Sequence, residues 1–436
     1  MTAEPPPLPA EKRPLTRNIR PGEAPLDVRG YERAGGYVAV RQALTTLSPA
    51  EVTQQVKDAN LRGRGGAGFP TGVKWALVPM GPDAPRPKYL VVNADEMEPG
   101  TFKDRLLLEG DPHLLIEGVL LAAYAIQAEV AYIFLRGEYV EAERCLRQAI
   151  AQAEAAGYLG AHILGSDFSL SLHLHTSAGR YICGEETALL NALEGRRAVP
   201  RAKPPFPQLC GLWGKPTIVN NVETLCNLPG ILAHGAAWFK GLSLTANGGT
   251  KIFGVSGRAS RPGAWELPLG TPIGQILTEC AGGMREGVQL RGLIPGGAST
   301  DFLLPEHLDV PMDYDTIGKA GSRLGTGTMI LLDDRTCPVG MVGNLVSFFA
   351  HESCGWCTPC RDGLPWTEKV LTAIEAGQGQ AHDLDRLARH VRLLGPGNTF
   401  CPLAPGAMAP LGSALKFFRD DFERHLREQR CPWSSP

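Results

Sequence analysis

Leu61-Arg-Gly-Arg-Gly-Gly-Ala-Gly-Phe-Pro-Thr-Gly-Val-Lys-Trp75 is the stretch around which the rest of the chain can be read. Five of its fifteen residues are glycine. Without a Cβ, glycine adopts positive φ and lets backbone N–H groups close on a ligand. Successive inward N–H groups form a nest suited to an anion such as phosphate, and Arg62, Arg64 and Lys74 add positive charge around the same turn. Gly63-x-Gly65-x-x-Gly68 spells the dinucleotide fingerprint, but that fingerprint needs a strand before it and a helix opening within it. Here a helix leads in: Ser48-Pro49-Ala50-Glu51 is a capping box with proline at the first helical position, and the helix runs to about Asn60. Pro70 follows the loop, and the Gly-Lys-Ser/Thr of a P-loop is absent. Taken alone, the loop reads equally as a phosphate or cofactor cradle and as a mobile glycine loop.

At 436 residues the chain is long enough for two or three domains with their own cores. A net charge of −2 argues against a nucleic-acid binder, which carries a basic excess. The most apolar run, His113 to Leu135, is broken by Glu117 and Glu129, so no membrane span is expected. No apolar leader opens the chain, which points away from export. Its eleven cysteines are then expected as reduced thiols or metal ligands rather than disulfides.

Met1 to about Arg29 is rich in proline and reads as a flexible lead-in or a strap laid on a surface. Beyond the glycine loop, Tyr89-Leu-Val-Val-Asn93 is a short apolar run expected as a buried strand. It ends in Asn93-Ala-Asp-Glu-Met-Glu-Pro-Gly100, and Asp95, Glu96 and Glu98 thus stand where open α/β sheets bind ligands, or form a solvated acidic turn. Asp111-Pro112 starts a helix to about Gln127, Val130–Leu135 is the next strand, and Glu138–Ala156 another helix. Ser169–His175 alternates as a strand in which His173 and His175 are ordinary strand residues. This alternation implies a layered α/β domain with a mostly parallel sheet. Tyr181-Ile-Cys-Gly-Glu-Glu-Thr187 is a third strand-to-helix junction, where Glu185 and Glu186 either face a ligand or favour the next helix's N-terminus. Lys203-Pro-Pro-Phe-Pro207 is a stiff segment presenting one lysine and one aromatic ring. In Thr217–Leu225, Asn220, Asn221 and Thr224 suit a phosphate or ribityl chain, or a helix cap.

From about Thr250 short strands (251–255, 265–267, 288–294 and 328–332) surround one helix, 273–280, suggesting a small α+β insert with no legible chemistry. After Asp334 four helices are expected: 339–351, 364–376, 384–394 and 408–429. They carry Ser353-Cys-Gly-Trp-Cys-Thr-Pro-Cys360, and Cys401 follows with Pro402 directly after it. Cys354, Cys357 and Cys360 in C-x2-C-x2-C spacing, with a distant fourth before proline, repeat the ligand logic of bacterial ferredoxins and point to a [4Fe–4S] cluster. Structural zinc more often uses two separated pairs. The other cysteines (145, 183, 210, 226, 280, 337 and 431) lack metal-like spacing and read as packing. A one-electron centre beside a nucleotide-sized cradle, with no Ser/His/Asp set, suggests a flavin that turns a hydride donor into single electrons.

The segments 62–69, 93–99, 181–186, 219–224 and 353–360 resemble, in order, the motifs of the NADH-binding flavoprotein subunit of bacterial respiratory complex I, over about Gly35 to Phe422. The resemblance implies a Rossmann-like FMN/NADH domain (35–245) after a lead-in (1–34). It further implies a β-grasp-like insert (246–334) and a helical bundle with a [4Fe–4S] cluster on Cys354, Cys357, Cys360 and Cys401 (335–436). It implies FMN against Gly63, Arg64, Gly65, Gly66, Lys74, Asn93, Asp95, Tyr181, Gly184, Val219, Asn220, Asn221 and Thr224. Phe69 and Phe206 would sandwich the adenine of NADH, with Lys203 at its polar part. Glu96 and Glu98 would lie near the reacting rings, and Glu185 and Glu186 would face the dinucleotide; these four are the candidate catalytic residues, acting through position and electrostatics. Ala76 and Leu77 stand where some relatives carry a second adenine-holding aromatic, implying weaker stacking. The implied partners are other peripheral-arm subunits, first a small [2Fe–2S] subunit and the large iron–sulfur subunit. The implied place is the cytoplasmic side of the inner membrane. The diaphorase subunit of an NAD-reducing hydrogenase or an NAD-dependent formate dehydrogenase shares these motifs but often carries an extra N-terminal domain. A zinc-stabilised nucleotide-binding scaffold without turnover is the competitor from another class.

Overall fold

Tyr89–Ala94 forms β1, with Leu90, Val91 and Val92 fully buried, in a computed structural model that describes residues 12–434. Strands β2 (Val130–Leu135), β3 (Ser171–Thr176) and β4 (Thr217–Asn221) join it in the order β3-β2-β1-β4, every pair parallel. A parallel sheet is covered on both faces, which is why Leu90, Val91 and Val92 are buried in succession rather than alternating. Edge strand β3 does alternate, and its His173 and His175 rings lie against Tyr132 and Phe134 of β2. Helix Pro112–Ile126 is apolar on most sides because it is buried all round apart from Tyr124; its His113 and Glu117 are buried with hydrogen-bond partners in Tyr37 and Tyr31. The chain leaves β1 toward β2 on one side and returns as β4 on the other. The strand order therefore reverses at β1, where a parallel sheet opens a crevice at its C-terminal edge.

The capping box at Ser48 is formed: Glu51 N–H donates to Ser48 Oγ (3.3 Å), and Ser48 N–H donates to the Glu51 carboxylate (2.7 Å). The helix Pro49–Asp58 delivers the chain into the glycine loop. That loop is a tight hairpin, closed by Gly63 N–H to Phe69 O (2.9 Å) and Thr71 N–H to Leu61 O (2.8 Å).

The second sheet comprises β5 (Thr250–Ser256), β6 (Gly263–Pro268), β7 (Leu290–Ile294) and β8 (Thr328–Asp333) in the order β6-β5-β8-β7. Its central pair is parallel and its outer pairs are antiparallel, which is a β-grasp arrangement. The expected helix over 273–280 is present, with its second half widened to a π-turn. A second helix, Tyr314–Lys319, has Asp313 as its cap.

The helical region differs from expectation in two places. The second helix runs Thr358–Glu375, starting at the cysteine motif rather than at 364, because Pro359 suits a first turn and Pro365 is accommodated. The single helix expected over 408–429 is two, Leu403–Phe417 and Arg419–Glu428. Phe418 leaves the helical backbone between them and buries its ring edge-on to Phe302 at 5.3 Å.

The lead-in expectation for residues 1–11 lies outside the described residues. The segment after it is a strap: Leu15 is fully buried, and the Leu15 and Thr16 N–H groups donate to Glu266 of β6 (3.1 and 2.8 Å). Among the described residues no helix is long and apolar enough to cross a membrane.

The two sheets are joined by buried charge. Glu223, in the helix after β4, takes Lys103 Nζ at 2.8 Å and Lys251 Nζ of β5 at 3.0 Å, and accepts from Ile252 N–H at 2.8 Å. Asp104 takes Lys103 Nζ at 2.7 Å and Asn221 Nδ2 at 2.6 Å. Burial opposes ionisation of Glu223, but Lys103 and then Lys251 outweigh it and hold the carboxyl at about 2. A depressed carboxyl contributes stability that is present above its ordinary value and lost as pH falls through the folded one. Glu223→Ala leaves buried Lys251 without its carboxylate and Lys103 with Asp104 alone, and is expected to cost about 3–5 kcal/mol in urea unfolding near neutral pH. The difference from wild type should shrink as pH falls through the window between the ordinary carboxylate value and about 2. A variant as stable as wild type near neutral pH would show that the cluster does not join the sheets.

Candidate functional site

The C-terminal ends of β1 and β4 open into a cleft of about 350 Å³. Gly65, Gly66 and Ala67 of the glycine loop form one side. Gly65 lies so close to β4 that a Cβ would meet Asn221 Cβ at 2.9 Å. Gly66 has φ +118°, and a Cβ there would come no nearer to anything than 3.9 Å, so a side chain would project into open space in the cleft. Gly184, on the opposite junction, also leaves open space. The cradle is thus built for close backbone approach to a ligand.

The β1 turn supplies the carboxylates. Asp95 accepts from Ser177 Oγ at 2.9 Å, and its Oδ2 is buried with no protein partner; burial pushes its pKa up to about 7. An unpartnered acceptor on a cleft wall fits a ligand that donates a hydrogen bond there. Glu96 caps helix Lys103–Gly110, accepting from the N–H groups of Lys103 and Asp104 (2.9 Å each) and Arg105 (3.1 Å), and Tyr139 OH donates to it at 3.1 Å. Burial, then the charge of Asp104, raise it to about 7. Glu98 accepts from Tyr181 OH (2.7 Å) and Ser299 N–H (2.7 Å), and burial raises its pKa. Asn93 donates to Gly184 O at 3.0 Å and ties the two junctions together.

The lower part of the cleft was not legible from the sequence. The insert, in which the sequence shows no chemistry, contributes Gly296, Ser299, Arg323, Gly325 and Thr326 to its wall. The two glycine turns of the insert were the available signal. Gly325 has φ +51° and a Cβ there would stand 2.3 Å from Gly296 O, while a Cβ on Gly297 would stand 2.6 Å from Glu98 Cγ. Lys103 and Asp104 also line the cleft.

Several of the expected contact residues have side chains engaged within the protein. Arg64 is fully buried and donates to Gly248 O and Thr250 O (2.7 and 3.1 Å), so its guanidinium serves the interior. Thr224 Oγ1 accepts from Arg64 N–H (2.8 Å), and Asn220 Oδ1 accepts from Trp75 Nε1 (2.9 Å); both side chains hold the scaffold. Val219 offers its carbonyl to Lys74 Nζ (3.0 Å). Glu185 accepts from Thr187 and Ala188 N–H (2.9 Å each), so it caps helix Glu186–Leu193 as well as lining the cleft. Glu186 bridges Lys74 (2.7 Å) and Lys203 (2.7 Å); burial works to raise it, but the two lysines hold it below the usual carboxylate range. Phe69 and Phe206 stand outside the deep cleft, 52% and 51% exposed, as two unpaired aromatic faces.

Cys354, Cys357, Cys360 and Cys401 line one small apolar enclosure with Ile182, Trp356, Phe400 and Leu403. All four are free thiols, and Ser353 Oγ lies 3.1 Å from Cys360 Sγ. Burial pushes Cys401 up to about 12 and Cys360 to about 11, so thiolates here require a compensating cation. Four such sulfurs in this spacing fit an iron–sulfur cluster. Ile182, Cys401 and Leu403 line both this enclosure and the cleft, so one layer of side chains separates the two.

A glycine cradle with an unpartnered carboxylate, one side-chain layer from a four-cysteine centre, defines a flavin and iron–sulfur electron-transfer protein. The family model described as Nuo51 FMN-binding domain matches residues 56–230. The model described as NADH-ubiquinone oxidoreductase-F iron-sulfur binding region matches residues 340–425. The F subunits of NADH-quinone oxidoreductase in Salmonella typhimurium and Escherichia coli are each 56% identical over 96% of this chain and 94% of theirs. The F 2 subunit of the same enzyme in Rhizobium meliloti is 51% identical over 96% and 99%. A solved NAD+-reducing [NiFe]-hydrogenase chain is similar at TM-score 0.77 and 37% identity, covering 89% of this chain and 66% of that one. The chain belongs to the family of NADH-quinone oxidoreductase F subunits, with FMN and a [4Fe–4S] cluster as its cofactors.

Two substitutions separate the cofactors. Gly66→Val places a branched side chain in the cradle at a strained φ and is expected to abolish FMN binding while iron content is retained. Cys401→Ser is expected to remove or cripple the cluster's EPR signal while flavin stays bound. Full flavin occupancy in Gly66→Val would show that the loop is not the cradle, and an unchanged EPR signal in Cys401→Ser would remove that residue from the ligand set.

Proposed function

We propose that this chain is the electron-entry subunit of a respiratory NADH:quinone oxidoreductase. When bound, FMN supplies hydride acceptance from NADH, and the cluster supplies one-electron transfer onward. The shared wall of Ile182, Cys401 and Leu403 carries this reading, because single electrons need the two centres close together. The protein's own residues bind and orient. In this reading the glycine loop and Asn221 receive the phosphate end of the flavin, and Asn93, Asp95 and Gly184 face its ring system. Glu98, held by Tyr181 and Ser299, keeps a carboxylate at the reacting end without a proton-transfer role. Phe69 and Phe206 supply the adenine platform, which their exposure supports. Domain limits near residues 245 and 334 follow the change from one sheet to the other and on to the helices.

As partners we assign a small [2Fe–2S] subunit and the large iron–sulfur subunit, with the chain peripheral on the cytoplasmic side of the inner membrane. Trp356, 57% exposed beside the cysteine enclosure and edge-on to Phe400 at 6.1 Å, supports an interface close to the cluster. The hydrogenase likeness supports a diaphorase role as the second reading. The chain is 37% identical to that hydrogenase chain but 56% identical to the Escherichia coli relative, which favours the first. Flavin bands with a broad iron–sulfur shoulder in anaerobically purified protein, bleached by NADH, are the expected outcome; neither feature would sink both readings.

Glu186 is the candidate reader of the adenosine ribose. A carboxylate accepts hydrogen bonds from ribose hydroxyls, whereas the extra phosphate of NADPH would face it in a partly desolvated site at a cost on the order of several kcal/mol. Glu186→Gln also frees Lys74 and Lys203, both cations suited to phosphate. The variant is expected to raise kcat/KM for NADPH far more than for NADH, measured with ferricyanide as acceptor. A role confined to the helix end predicts a stability loss of about 0.3–1 kcal/mol and an unchanged ratio. An unchanged ratio in both Glu185→Gln and Glu186→Gln would move selectivity to Lys203 and its neighbours.

A further inference from the structure

We infer that Cys337, Glu375, His425 and Cys431 form a structural zinc site that clamps the C-terminal tail to the base of the helical domain. Nothing near either cysteine in the sequence has metal-like spacing. The fold overrides spacing by bringing one donor from each of four segments together. Cys337 caps helix Pro338–Glu352, Glu375 ends helix Thr358–Glu375, His425 lies in Arg419–Glu428, and Cys431 follows in the tail. One donor atom of each lies within 4.8 Å of all the others. Cys337 Sγ is 3.2 Å from Glu375 Oε2 and 3.3 Å from His425 Nε2, and that nitrogen is 3.1 Å from Glu375 Oε2. Tetrahedral zinc with bonds of ~2.0–2.3 Å sets its donors roughly 3.3–3.8 Å apart, so little movement is needed.

The surroundings are those of a ligand set. Nδ1 of His425 lies 2.7 Å from Asp421 O; donation to that carbonyl fixes the tautomer and turns the Nε2 lone pair toward the other three groups. His425 is fully buried under the stacked ring of Trp433 (5.9 Å), whose Nε1 donates to Asp334 O at 3.2 Å. Gly340 N–H donates to Cys337 Sγ at 3.2 Å, a bond that favours the thiolate. Cys337 and Glu375 are partly exposed, leaving a side from which a metal can reach the site. Two thiolates, an imidazole and a carboxylate suit zinc, whereas calcium and magnesium require oxygen donors.

The site is distinct from the cluster. Cys337 and Cys354 lie at opposite ends of the 15-residue helix, and Cys357 and Glu375 at opposite ends of the 18-residue helix packed against it. At 1.5 Å per residue the two centres are about 22–27 Å apart. None of the four donors lines the flavin cleft.

The test is metal analysis of the full-length holoprotein purified anaerobically. Wild type is expected to retain about one zinc per chain after gel filtration from excess zinc, in addition to cluster iron. Zinc-edge X-ray absorption should show two sulfur and two nitrogen or oxygen neighbours. His425→Ala and Cys431→Ser should each weaken zinc binding at least ~10-fold in chelator competition, with FMN and iron retained. Cys401→Ser should lose iron and keep zinc. Wild type that retains no zinc, zinc with four sulfur neighbours, equal zinc in the His425 and Cys431 variants, or a Cys337–Cys431 disulfide in non-reducing mass spectrometry would each overturn the proposal. Should the variants fail to fold, the wild-type zinc content and absorption spectrum decide alone.

Discussion

Everything at the cleft depends on the buried ionic cluster around Glu223. Burying a charge is costly unless it is paired and hydrogen-bonded, and here four charged groups meet in the interior. Lys103 bridges Asp104 and Glu223, Lys251 reaches Glu223 from β5, and Asn221 donates to Asp104. The members come from the helix after β1, the segment after β4, and the first strand of the other sheet. Their mutual geometry therefore determines how the β-grasp sheet sits against the parallel one. A hydrophobic contact would join the sheets as firmly but would tolerate sliding. Directional hydrogen bonds do not, and a site assembled from both sheets needs that registration.

The cleft shows what the registration is for. Its upper side is glycine loop and sheet edge, its lower wall comes from the insert's two glycine turns, and its floor is Cys401, Pro402 and Leu403 of the helical domain. No single domain holds a complete site. The junctions approach so closely that side chains are excluded, as between Gly325 and Gly296 or Gly297 and Glu98. At that floor the cleft meets the four-cysteine enclosure, since Cys401 and Leu403, with Ile182, line both.

The carboxylates illustrate how burial changes a residue's role. Glu96 caps a helix, Glu98 is held by Tyr181 and Ser299, Glu185 caps another helix, and Glu186 lies between two lysines. Each has its hydrogen-bonding capacity largely occupied by the protein and is therefore rigid. Acidic groups fixed in this way can orient and discriminate ligands without reorganising. Asp95 is the exception, with one oxygen unpartnered.

The sequence by itself determined what depends on neighbours in the chain. The capping box at Ser48, the glycine loop's freedom, the apolar β1 and the C-x2-C-x2-C motif are local physics, and these elements formed where expected. The break at Phe418 was hidden, since that residue packs its ring on Phe302 and Arg291, both distant in sequence. Tertiary structure alone decided that Arg64 turns inward, that the insert walls the cleft, and that Cys337 meets His425 across 88 positions. These outcomes rest on contacts between distant segments, where the burial of a charge or the approach of two backbones outweighs any local preference, and spacing along the chain carries no record of them.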